Sequence, residues 1–65
     1  MRINKGKVLF LMAEKGLNQK TIAERAGISR PNVSTLLDGR RCRPETAAKI
    51  AKALGVPVSE IFDID

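Results

Sequence analysis

The stretch LNQKTIAERAGISRPNVSTLLDG, residues 17–39, decides the fold. Asn18 is a suitable N-cap, with a side-chain oxygen that can receive an early helical amide, for a helix over Gln19–Ala26. Its inward positions are Ile22, Ala23 and Ala26, at helical spacing. Gly27 ends it, because glycine enters the left-handed conformation without a Cβ penalty. Ser29 caps the next helix, and Pro31 falls in its first turn, where a missing N–H costs nothing. Val33, Leu36 and Leu37 carry that helix to about residue 38, before Gly39.

Two helices joined by Gly27, Ile28 and Ser29 meet the steric demands of a helix-turn-helix. Ala23 stands where the helices must cross, and a larger side chain there would push them apart. Ile22, Ala26, Ile28, Val33 and Leu36 are apolar where this corner turns inward. With Val33 and Leu36 fixing the core face, Arg30, Pro31, Asn32, Ser34 and Thr35 are left on the outer side and leading end of the second helix.

The flanks agree. Val8, Leu11, Met12 and Lys15 fall at i, i+3, i+4 and i+7, which predicts a first helix over about 4–15, stopped by Gly16. Residues 40–43 form a basic loop, after which Pro44 and Glu45 open a helix whose Ala47, Ile50, Ala51 and Leu54 make an apolar stripe up to Gly55. A last short helix is expected near 58–62, adding Val58, Ile61 and Phe62 to the core. No strand pattern competes, so the expectation is all-α: a compact five-helix domain, one domain over 1–65, with the motif at about 18–38.

Composition narrows the function. Twelve Lys and Arg oppose seven Asp and Glu for a net +5, and three of the acids are Glu60, Asp63 and Asp65, so residues 1–59 carry 12 − 4 = +8. Such a body attracts a polyanion. Without His or Tyr, and with a single Cys42 in a loop, there is no nucleophile–base pair, metal-ligand set, internal disulfide or glycine-rich phosphate loop, so an enzyme is the least favoured class and no cofactor is expected. RNA binding lacks exposed aromatics for stacking. The longest apolar run, residues 8–12, is too short for a signal-peptide core or a membrane span, so a cytoplasmic protein is expected.

The text at 17–39, with RP at 43–44 and KIAKALGVPVSEIF at 49–62, resembles the Xre-type transcription regulators related to the lambda repressor and Cro. The resemblance runs from about Val8 to Phe62. It implies a lambda-repressor-like five-helix domain whose third helix enters the major groove of an operator. Arg30 is then the leading candidate for base readout by a bidentate pair with guanine, although a phosphate clamp is a near-even alternative. Asn32 suits adenine, Ser34 lies on the same outer face, and Thr35 offers its methyl to thymine or its hydroxyl to a base or phosphate. Pro31 departs from relatives that carry a hydrogen-bonding residue there, and contributes apolar contact only.

For the phosphates, Gln19 matches a glutamine that in this family commonly bonds the backbone and braces the recognition helix. Ser29 and Lys20 are further expected phosphate contacts. Arg40, Arg41 and Arg43 are expected to hold the other side of the same backbone. A second departure is Met12 with Leu37, where many relatives pair an arginine with a glutamate; an apolar contact is expected instead.

Leu9 and Phe10 stand about 100° and 200° around the first helix from Val8, off its core stripe. Either they are a partner surface, with Phe62 and Ile64, for a homodimer reading two half-sites, or the N-terminal segment, Phe62 and Ile64 cover them. The same feature keeps a second function class open: a protein-interaction module, such as an antitoxin or a mobile-element accessory protein. No small-molecule ligand and no membrane partner are expected.

Overall fold

The computed structural model describes residues 1–63. Asn4 opens helix α1 (Lys5–Lys15) by accepting the Lys7 N–H at 3.0 Å, and Asn18 opens α2 (Gln19–Ala26) by accepting the Thr21 N–H at 2.9 Å. Ser29 Oγ does the same for α3 (Arg30–Leu37), accepting from Asn32 at 3.3 Å, and α4 (Pro44–Leu54) starts on proline after Arg43. Each cap satisfies an amide that has no partner within its helix. The boundaries of α2 match the sequence reading, α1 begins one residue later, and α3 ends at Leu37 with Asp38 as its C-cap.

The expected fifth α-helix is corrected. Residues 58–62 hold one 3-10 turn, Val58–Glu60, and Phe62 belongs to a strand. The segment 58–62 is too short to offset the cost of helix nucleation. The chain instead gains hydrogen bonds by pairing β2 (Phe62–Asp63) antiparallel with β1 (Arg2–Ile3), Ile3 opposite Phe62 and Arg2 opposite Asp63. The expectation of no strands therefore fails at both ends of the chain. Among the described residues the architecture is four α-helices, one 3-10 turn and a two-stranded sheet.

One aliphatic core joins these elements. Val8, Ile22, Val33, Ile50, Leu54 and Ile61 are its fully buried centre, and Met12 and Leu37 are buried members of the same cluster. Both side chains are apolar, so burying them desolvates no charge. Leu11, Ala26, Ile28 and Val58 pack half-buried against this core, while Lys15 of the predicted stripe is exposed. Ile3, which no helical pattern marked, is also buried. Ala23 is buried, and Gly27 holds φ +69°, so the small and flexible residues stand at the crossing and the turn of α2 and α3.

Candidate nucleic-acid interface

The turn between α2 and α3 aims the start of α3 outward. Arg30, Pro31 and Asn32, its first three residues, are all exposed, as is Thr35 one turn on, while Ser34 is half-buried. None of these side chains is committed to the core. Thr35 Oγ1 donates to the Asn32 carbonyl at 3.0 Å, so its methyl is the group left free to face a partner. Ser29 Oγ is engaged as an acceptor by its cap bond and keeps its own hydroxyl hydrogen to donate.

Beside α3 runs an open groove of about 720 Å³ whose lining includes Ser29, Asn32, Arg40, Arg41, Arg43 and Lys49. It lies between the turn, the basic loop and the front of α4, and it gathers four cations with the polar start of α3. Arg40 is tied back by its N–H to the Thr35 carbonyl at 3.3 Å, and the Arg43 carbonyl accepts from Thr46 and Ala47 at 3.0 and 3.1 Å. The loop is thus fastened to the end of one helix and the start of the next.

A shallower hollow on the other side of the turn is lined by Lys20 and Arg30, together with Glu24. Gly27 and Ile28 line both concavities, so the turn is the ridge between them. Gln19 is half-buried at the first position of α2, away from either lining but at a helix N-terminus, where amides favour an anion.

Of the predicted phosphate set, Ser29, Arg40, Arg41 and Arg43 therefore share one groove with Asn32 from the predicted base-reading set, and Lys20 shares the adjoining hollow with Arg30. Pro31, Ser34, Thr35 and Gln19 line neither. Sequence reasoning missed Lys49 and Thr46, which also line the groove. Their i, i+3 spacing was the available signal, because it puts both on one face of α4 beside the basic loop.

The Cys42 thiol is pushed above its ordinary pKa by partial burial, and the positive N-terminus opposes this less strongly. A protonated thiol is a poor nucleophile. Among the described residues no group of His, Cys, Asp and Glu could hold a metal, and no helix is long and apolar enough to cross a membrane.

Leu9 and Phe10 remain 43% and 66% exposed, so the described part of the chain does not cover them. Phe62 is half-buried in the sheet with Ile3, and Ile64, assigned to the same partner surface, lies outside the described residues.

Comparison with known proteins adds to this geometry. Two solved structures of PhpD, one described as native with cadmium atoms and one as complexed with cadmium and hydroethylphosphonate, share the fold at a TM-score of 0.80 and 26% identity. The alignment covers 98% of this chain and 14% of that one, so the chain spans about a seventh of PhpD. No curated protein matches the sequence. The family model of the Cro/C1-type HTH DNA-binding domain matches residues 7–65. The chain belongs to the family of Cro/C1-type helix-turn-helix DNA-binding domains.

Proposed function

We propose that this domain binds double-stranded DNA sequence-specifically and regulates transcription, as a repressor, with α3 in the major groove of an operator. The observation that carries this reading is the exposed leading end of α3 next to a groove of four cations, since base edges are read by side chains while phosphates fix register. Arg30 and Asn32 read bases, while Pro31 and the Thr35 methyl add apolar contact. Gln19, Lys20, Ser29, Arg40, Arg41, Arg43 and Lys49 hold phosphates. No catalytic step and no small-molecule ligand enter this proposal, and the expected place of action is the cytoplasm.

The exposed Leu9 and Phe10 support a homodimer on DNA. A two-fold dimer reads a palindrome with half-sites about 10 base pairs apart or a multiple of that. They equally favour a second reading, in which α1 docks another protein, as in an antitoxin or a mobile-element accessory protein.

Selection of bound duplexes from a randomised pool, at stated salt, tests the proposal. A recovered consensus that loses one base preference in Arg30→Ala supports it. A uniform loss across sequences would assign Arg30 to a phosphate, and no enrichment at all, with capture of a protein partner instead, would favour the second reading.

A further inference from the structure

The loop that carries three arginines is fastened to the start of the chain as well as to the helices beside it. We propose that residues 1–4 form a positioning element for Arg40, Arg41 and Arg43, so that a strand outside the recognition motif sets affinity for DNA; this rests on the DNA-binding reading above.

Cys42 N–H donates to the Met1 carbonyl at 2.9 Å, and the Met1 nitrogen donates back to the Cys42 carbonyl at 3.5 Å. Arg2 and Arg41 form an antiparallel bridge in the same register. The other edge of this strand pairs with β2, and the Asn4 N–H continues that ladder to the Ile61 carbonyl at 2.7 Å. Residues 1–4 are therefore the middle strand of a three-membered layer, with the arginine loop on one edge and residues 61–63 on the other.

The middle strand is itself anchored. Ile3 is 3% exposed, and Asn4 divides its amide between two jobs: Oδ1 caps α1, and Nδ2 donates to Asp63 at 3.0 Å. Lys5 then pairs with Asp38, the C-cap of α3, at 3.1 Å. Of the loop's described backbone bonds, those of residues 41–42 go to this strand, whereas Arg40 bonds α3 and Arg43 bonds α4.

The physical consequence concerns preorganisation. Three guanidiniums in four residues repel one another, and a loop free to spread must be reordered each time a phosphate backbone is gripped. A strand that fixes the loop beforehand removes that cost from binding. It acts on phosphate contacts, so it alters affinity without altering which bases are preferred.

The test deletes one donor. Cys42→Pro removes the amide that bonds Met1, while Cys42→Ala keeps the amide and removes the thiol. Expected for a folded Cys42→Pro are an affinity for a selected duplex lower by roughly tenfold, unchanged base preference, and backbone order parameters at 40, 41 and 43 falling below about 0.6. Cys42→Ala, which keeps the Met1 bond, should leave the order parameters of the loop at their native values. Ile3→Val, a milder perturbation of the anchor, should move affinity in the same direction by a smaller factor. Unchanged affinity and unchanged loop order in folded Cys42→Pro would overturn the positioning role. The order parameters are measured without DNA, so a native protein that binds no duplex would instead sink the functional reading.

Discussion

Gly27→Ala isolates the backbone geometry on which the motif depends. Gly27 holds φ +69°, and a Cβ built there meets nothing within 4 Å, so the substitution adds conformational strain without a clash. Holding a residue with a Cβ in the left-handed region costs about 1–2 kcal/mol. Alanine also narrows the unfolded ensemble, which returns about 0.4–1 kcal/mol. The net loss is about 1 kcal/mol, or roughly 4–8 °C in Tm for a domain of this size. Gly55 provides the control, with φ +76° and the same empty surroundings, but at the far end of α4. Urea denaturation should give similar losses for both alanine variants. Duplex affinity, measured by fluorescence anisotropy, should fall only for Gly27→Ala, because only that turn sets the angle of α3. A loss above about 3 kcal/mol would exceed what left-handed strain supplies and would mean a steric contact at Gly27. Equal loss of DNA binding in both variants would refute the assigned role of the turn.

Three further outcomes are expected. Replacing Arg40, Arg41 and Arg43 together by glutamine should lower the slope of log affinity against log salt by roughly 2.7, three contacts at about 0.9 each, and an unchanged slope would remove the loop from the interface. Converting Met12→Arg with Leu37→Glu, which places an ion pair in the core, should destabilise the protein by about 1–4 kcal/mol, whereas Met12→Arg alone should cost about 3–5 kcal/mol; a double variant more stable than the native chain would contradict the apolar reading. Phe10→Ser should shift any dimer toward monomer in sedimentation, and a native chain that stays monomeric at high concentration would exclude α1 as a self-association surface.

Much of the fold was legible because its signals are local. Asn18, Ser29, Gly27 and Pro44 mark helix ends through bonds and backbone angles within a few residues, and the stripe Ala47, Ile50, Ala51, Leu54 gives the core face of α4 directly. The strands were not legible. Two residues cannot display alternation, and Arg2 pairs with Asp63, its near-opposite in the chain. Phe62 consequently read as helical, and buried Ile3 went unnoticed. The site divides in the same way. The outward residues of α3 follow from where its core face lies, and the basic loop from composition. The addition of Lys49 to the groove required knowing how α4 packs beside the turn, and the anchoring of the arginine loop required the strand that the sequence concealed.

Amide chemical shifts recorded as a selected duplex is added locate the docking face residue by residue. The largest changes should fall on residues 29–35, with a second group at 19–20 and 40–49, while the amides of Val8 and Met12 in the core stripe of α1 barely move. Changes centred on α1 around Leu9 and Phe10, with residues 29–35 unaffected, would contradict docking through α3.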